Sequence, residues 1–463
     1  MNKAKKAKSG WVKTRKLFND IHLWGGLISG IIVFVVCLTG TIYVYNTELR
    51  EAALSSYYKV EKEGKKLPVD SLLSMVRPMI SGKVTGIRIP FDETASYGVL
   101  YTKKKAGGED GPSGIGSRDR ERVAGEVVPK TSSTPAKAGS RGKGKDGEAH
   151  HQEGSASTGG EHKAPQGGGR RRSNQMMVNP YTGEALGDPA EEKTKTADFM
   201  QTMFGLHRWL LLNEIEGPII EGIENRKLGS WITGTATLLF LLGVLTGLVI
   251  WFPNKIRSWK NGLKVKWSAS WKRVNHDLHN TLGLYTWIFL FLMAVTGPFW
   301  SFEWYREGWQ KAWGTHQSQQ IEKGQKSEPL SRYTTGSSPM DIQETIAAVN
   351  VILPYDGDIT INFPKDSVGT LSITKNRVGF FAPSASDKLV LDQYSGDVLE
   401  KDLFREKSIR NRIGSSIKAL HIGDVYGPFT KLLYFISCLV ATSLPVTGVL
   451  IWLNKMKKSR KEK

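Results

Sequence analysis

A chain of 463 residues with a formal net charge of +20 ordinarily invites a nucleic-acid partner. Four stretches without a single Asp, Glu, Lys or Arg (residues 21–47, 228–254, 280–302 and 432–454) redirect the reading to a membrane. The positive charge gathers in the short segments beside these stretches, where anionic membrane lipid is its natural counterpart and no nucleic acid is needed. The two cysteines, Cys37 and Cys438, lie inside apolar stretches, which excludes a disulfide scaffold or a cysteine zinc site and leaves them as small hydrophobes.

In chain order, residues 1–20 form a basic N-terminus and 21–47 a first transmembrane helix. A hydrocarbon core of about 30 Å needs roughly 20 apolar residues. This run is about twice the length of a signal-peptide core and has no small-residue cleavage site, so it reads as a retained anchor. Residues 48–227 follow as an α+β segment: a helix over Pro68–Ile80, then strands between Val84 and Tyr101. Within it, 103–172 lacks any Phe, Trp or Tyr and reads as a disordered insertion. Its His150, His151 and His162 read as solvated linker histidines, with metal scavenging as the alternative. Strands resume at 176–186, with Tyr181-Thr182-Gly183-Glu184 as a tight turn.

A second transmembrane helix (228–254), a basic loop (255–278) and a third transmembrane helix (279–302) come next. Trp300, Trp304, Trp309 and Trp313 are spaced as one helix face, so the third helix is expected to extend outward with an aromatic belt, or a docking surface for an aromatic or chelated ligand. The segment 303–431 repeats the α+β pattern, with a helix over Ile342–Val351, strands near 359–363, 371–374 and 390–399, and a turn at Tyr394-Ser395-Gly396-Asp397. A fourth transmembrane helix (432–454) and a tail (455–463) close the chain. Lys and Arg crowd residues 1–16, 255–273 and 455–463. Both termini are therefore placed in the cytoplasm and the two long segments on the far side.

The two halves share one plan. His22 stands 17 residues before Thr39-Gly40, and His279 stands 17 residues before Thr296-Gly297. Each histidine is followed four residues later by glycine, at Gly26 and Gly283. Thr246-Gly247-Leu248-Val249-Ile250-Trp251 likewise reads against Thr447-Gly448-Val449-Leu450-Ile451-Trp452. An imidazole beside hydrocarbon is costly unless paired, and a glycine one turn on would let a flat macrocycle lie against the helix. The other reading is an interfacial histidine bonded to a headgroup. His276 shares a helical face with His279, but only His279 has the repeat offset. On the far side, His207 and His421 each follow a leucine in a short amphipathic stretch before the second helix of their half, 39 residues before Thr246 and 26 before Thr447. The difference is the segment Asn213–Lys227, which has no counterpart in the second half.

The ordered recurrence of the Tyr-Thr-Gly-Glu turn, the membrane-end histidines and a Thr-Gly in every apolar run resembles the PepSY-associated transmembrane family, across nearly the whole chain except 103–172. The resemblance implies an α-helical membrane fold of four transmembrane helices in two repeated halves, each with an extracytoplasmic α+β PepSY-like domain, in the bacterial inner membrane. Family members include ferric-siderophore reductases with two b-type haems. That implies two bis-histidine haem b groups, with His22 and His279 holding the inner iron and His207 and His421 the outer one. No Gly-x-Gly-x-x-Gly follows a strand, so the chain offers no NAD or flavin domain, and the donor is expected to be quinol or a separate reductase. The expected function is electron delivery to a periplasmic acceptor, a ferric siderophore or other ferric chelate, releasing Fe(II). The alternative is a non-enzymatic PepSY membrane protein that binds or regulates an exported protease or transporter.

Overall fold

The computed structural model describes residues 2–103, 174–252, 259–315, 329–333 and 335–461. Apart from Lys103 the expected insertion lies outside these residues, as do its three histidines. The chain begins with α1 (Asn2–Tyr43), turns at Val44 and Tyr45, and continues through α2 (Asn46–Ala53), the single turn α3 (Ser55–Tyr58) and α4 (Val69–Val76). Strands β1 (Gly82–Ile89), β2 (Tyr97–Lys103), β3 (Asn174–Val178) and β4 (Ala185–Gly187) follow. Next come α5 (Lys195–Trp209), α6 (Asn225–Trp251), the short α7 (Trp259–Gly262), α8 (Trp271–Thr296) and α9 (Glu303–Trp313). The last part holds α10 (Ile342–Ile352), then β5 (Gly357–Asn362), β6 (Thr370–Arg377), β7 (Ser386–Asp392) and β8 (Val398–Asp402). It closes with α11 (Ile409–Ser415), α12 (Ile417–Ile422) and α13 (Gly427–Lys461).

α1 from Lys13, α6, α8 and α13 are long and apolar enough to cross a membrane. α1 packs on α6 and α13, and α8 packs on the same two, so α1 and α8 face each other diagonally across the bundle. Outward-facing positions stay apolar and open, as at Ile28 and Ile31 of α1. The interior instead collects small hydroxyl residues, among them Thr39, Thr246 and Thr296, that let backbones approach closely. Midway along the bundle Val244, Leu290 and Ala441 form an apolar layer, with Trp287 and Phe291 stacked beside it at 5.5 Å between ring centroids.

The third long helix does not run on through its tryptophans. Gly297-Pro298 tightens its end into a 3₁₀ turn over Gly297–Trp300, Phe302 is extended, and α9 restarts at Glu303. Proline removes a backbone donor and its ring obstructs the preceding turn, so the regular helix stops there. The Tyr305 hydroxyl donates to Val295 O at 2.6 Å and folds α9 back on the end of α8. Helical spacing of tryptophans survives the break without one continuous helix beneath it.

The eight strands of the described residues form one antiparallel sheet in the order β4-β3-β2-β1-β5-β6-β7-β8. The first four and the last four meet at β1 and β5, with Ile87 opposite Ile361 and Ile89 opposite Ile359. Glycine is needed at Gly86 on this seam, because a Cβ there would lie 2.4 Å from Ile361 O. Alternating apolar residues on β1, β2, β5, β6 and β7 turn inward. Val69, Leu72, Leu73 and Val76 of α4 and Ile342 and Val349 of α10 cover them in a single core. Both tight turns form: Gly183 at φ 77° and Gly396 at φ 75° occupy the left-handed region, and Asn179 Oδ1 and Asp392 Oδ1 accept from Tyr181 N and Tyr394 N.

Where α4 and α10 touch, Asp70 meets Asp341, whose side chain caps α10 by accepting from Gln343 N at 2.8 Å. Burial, then the hydrogen bond to Asp341, raises the Asp70 carboxyl to about 6, while Asp341 is held low chiefly by that same bond. Two carboxylates at one contact share a proton more readily than they both ionise.

Candidate cofactor-binding centres

His22 on α1 and His279 on α8 point into the bundle from its diagonal corners, with ring centroids 6.2 Å apart and planes at 87°. At the sheet end, His207 on α5 and His421 on α12 also have ring centroids 6.2 Å apart, with planes at 61°. A metal–imidazole nitrogen bond is about 2 Å, and the ring centre lies roughly 1 Å further on. Two imidazoles on opposite faces of one ion therefore have centres about 6 Å apart. In α8, His279 and Thr296, which marks the His421 site, are 17 residues apart. At about 1.5 Å per residue the two pairs are separated by roughly 25 Å along the bundle, with the Trp287–Phe291 layer between.

What aims these rings is a set of acceptors on a neighbouring helix, each the threonine of a Thr-Gly pair or the backbone carbonyl one turn before it. His22 Nδ1 lies 3.0 Å from Gly243 O and 3.3 Å from Thr246 Oγ1. His279 Nδ1 lies 2.8 Å from Thr447 Oγ1. His207 Nδ1 lies 2.9 Å from Val36 O and 3.5 Å from Thr39 Oγ1, and His421 Nδ1 lies 3.0 Å from Thr296 Oγ1. Each of these threonines already donates its hydroxyl proton to the carbonyl four residues earlier: Val35, Leu242, Leu292 and Ser443. Its oxygen can then only accept from the imidazole. Nδ1 is the protonated nitrogen in all four rings, and Nε2 keeps its lone pair for a ligand. Two of the glycines make room: a Cβ at Gly247 would lie 3.1 Å from His22 Cε1, and one at Gly40 would lie 3.2 Å from His207 Cε1, whereas at Gly448 and Gly297 it would meet His279 and His421 at ordinary contact distances of 3.5 and 3.6 Å.

Burial pulls His207 down to about 4 and His421 to about 3. Both are neutral at physiological pH, the form that binds a metal. Trp300 packs on His421 with centroids 5.0 Å apart, so this tryptophan contacts the site instead of serving only as a belt residue. His276 is half exposed, beside Asp277 at 3.6 Å and Asn280 at 3.2 Å, and takes no part in the His22–His279 pair.

Among the described residues no group of three or more His, Cys, Asp or Glu gathers anywhere. Each pair thus supplies two opposed nitrogens and nothing equatorial. A free zinc ion, which takes four ligands, is poorly served by such a site. A metal carried in a macrocycle that brings its own equatorial nitrogens fits, with the histidines as axial ligands. The flank is open on the His22–His279 pair: a Cβ at Gly26 would meet nothing within 4 Å, and one at Gly283 only Leu444 at 3.9 Å.

A family model for the PepSY-associated TM region matches residues 20–455. The chain belongs to the PepSY-associated TM family. With four helices of crossing length it is a multi-pass membrane protein whose antiparallel sheet accords with PepSY-like domains. No curated protein matches the chain. The family match spans all four histidines of the two pairs. Sequence reasoning had used Thr39, Thr246, Thr296 and Thr447 only as register marks. Their role in holding the rings was signalled by one fact, that a Thr-Gly stands in every long helix.

Proposed function

We propose that the protein is a dihaem electron-transfer protein of the bacterial inner membrane, with both termini cytoplasmic and the sheet periplasmic, and that it reduces a ferric siderophore to release Fe(II). His22 and His279 would hold one haem b near the cytoplasmic face, and His207 and His421 would hold the second near the periplasmic face. Held by these histidines, such a group would supply one-electron transfer. The observation that carries this reading is the twofold occurrence of one geometry: opposed imidazoles with centroids 6.2 Å apart, every Nδ1 tied back to the protein.

The protein's own part is positional. Thr246 and Thr447 on one side, and Thr39 and Thr296 on the other, fix the tautomer and aim Nε2 inward. The apolar layer at Val244, Leu290 and Ala441 offers water few polar partners in the space between the pairs. A pseudo-two-fold axis along the membrane normal, relating the two halves, would exchange His22 with His279 and His207 with His421. Placing two centres within a roughly 30 Å barrier divides one long transfer into shorter ones. The donor we assign is quinol or a separate reductase on the cytoplasmic side. Release follows reduction because Fe(II), lower in charge, is held more weakly by hard oxygen ligands.

The test is the spectrum of the purified protein and its haem content by pyridine haemochrome. Two haems b per chain, reducible by dithionite and reoxidised by a ferric chelate, are expected. A protein that folds and purifies without haem overturns the reading and leaves the non-enzymatic PepSY alternative, binding or regulating an exported protease or transporter.

A further inference from the structure

The helix that carries His207 ends abruptly. Leu210 and Leu211 both take left-handed backbone conformations, at φ 54° and 59°, and are the non-glycine residues of the described chain that do so. Consecutive leucines there are strained, a conformation found where surrounding structure imposes it. The loop that follows is held shut by the buried Asn225. Its Nδ2 donates to Ile215 O at 3.1 Å and Gly217 O at 2.6 Å, and its Oδ1 accepts from Ile219 N at 2.8 Å. Between this loop and α5 opens a cleft of about 720 Å³, lined by Phe204, Trp209, Asn213, Glu224, Asn225 and Arg226 among others. Phe204 and Trp209 lie three residues before and two after His207, and their rings touch at 5.4 Å. The loop is the segment Asn213–Lys227, which has no counterpart in the sequence of the second half.

Its charge is distinctive. The Arg226 guanidinium stacks on the Trp209 ring at 4.3 Å, with its side chain exposed to the cleft. Arg208 is turned away, donating to Trp300 O at 3.4 Å. Glu224 stands in the wall opposite Arg226 in charge, and Glu214, Glu216 and Glu221 lie exposed along the same loop. Arg208, Arg226 and the exposed Lys227 would favour an anion, but the four carboxylates outnumber these three cations and leave a net negative charge that opposes a polyanion on approach. Within the cleft, Arg226 and the Asn213 amide donate while Glu224 accepts, which suits a ligand rich in amide and hydroxyl groups.

We propose that this cleft is the acceptor site and that it takes ferric chelates of zero or positive net charge with an amide-rich surface, while excluding polyanionic ones. The proposal rests on the electron-transfer reading for its acceptor but is tested by binding alone. Full-length protein in phosphatidylcholine nanodiscs would be dialysed to equilibrium against radioiron-labelled chelates: a neutral ferric tris-hydroxamate and a trianionic ferric tris-catecholate. The neutral chelate is expected to bind at least about tenfold more tightly, a difference of about 1.4 kcal/mol. Arg226→Gln should weaken it about tenfold, Arg226→Lys less. The triple change Glu214→Gln, Glu221→Gln, Glu224→Gln should narrow the gap between the chelates. An unchanged far-ultraviolet spectrum shows that each variant is folded. Equal affinity for the two chelates, or no effect of either set of variants, overturns the proposal even if the protein carries haem and reduces iron. Charge-ordered binding by a protein without haem would instead uphold the cleft and sink electron transfer.

Discussion

Replacing Thr447 with valine removes one oxygen and little else, and the structure sets how much that should matter. The 2.8 Å contact with Thr447 Oγ1 is the hydrogen bond that His279 Nδ1 makes among the described residues. His22 Nδ1, by contrast, has Gly243 O at 3.0 Å as well as Thr246 Oγ1 at 3.3 Å. Leaving a buried N–H unpaired costs about 1–3 kcal/mol, whereas losing the longer of two acceptors costs a fraction of that. With tenfold for each 1.4 kcal/mol, Thr447→Val should loosen the haem held by His22 and His279 by roughly 5- to 100-fold, and Thr246→Val by about twofold or less. The assay is haem loss to excess apomyoglobin, followed at the Soret band in a His421→Ala background that carries only this haem. Equal loss rates for the two valine variants, or an unchanged rate in Thr447→Val, would refute the idea that these threonines tether the ligands.

Pyridine haemochrome should find one haem fewer in His22→Ala or His279→Ala and no further loss in the double variant, because ligands of one metal act as a unit. His276→Ala should keep both haems; loss there with retention in His279→Ala would reverse the ligand choice. Gly247→Ala should lower haem occupancy at the same site, since the new methyl would come within 3.1 Å of His22 Cε1; full occupancy would show that the ring can shift freely. The Asp70 carboxyl, raised to about 6, binds its proton more tightly in the folded protein than in the unfolded chain. Its contribution to stability is thus fully present below the ordinary carboxylate range and is lost as pH rises through about 6. Hydrogen exchange, corrected for intrinsic rates, should show α4 and α10 opening more readily at pH 7.5 than at pH 5, with the difference abolished in Asp70→Asn; a pH-independent pattern in the unmodified protein would count against the shared proton.

The long helices were legible because membrane burial writes itself as an absence of charge over some 20 residues, and the strands because one face of a sheet must alternate. Tyr181-Thr182-Gly183-Glu184 and Tyr394-Ser395-Gly396-Asp397 were legible for a local reason, the left-handed glycine. The end of α8 was misread because tryptophan spacing reports a face and not continuity, and Gly297-Pro298 carried the stronger signal. The edge-to-edge joining of β1 with β5 was not legible. Pairing across some 270 residues is decided by which edge has room, here by the missing side chain of Gly86.

His22 and His279 each stand 17 residues before a threonine of their own helix, yet the threonine beside every one of the four rings belongs to another element. His22 of α1 is tied to α6, His279 of α8 to α13, His207 of α5 to α1, and His421 of α12 to α8. Sequence spacing cannot show such a bond, because it depends on which helices are neighbours and not on separation along the chain. The exchange has a physical consequence. Every one of the four Nδ1 atoms is tied by a contact between elements, so no single helix, however well formed, aims its imidazole alone. Small relative shifts of α1 against α6, or of α8 against α13, would unseat an imidazole before they exposed any apolar layer. Haem retention should therefore fail earlier than the fold itself when helix packing is loosened, and the Thr-Gly pairs are where that coupling resides.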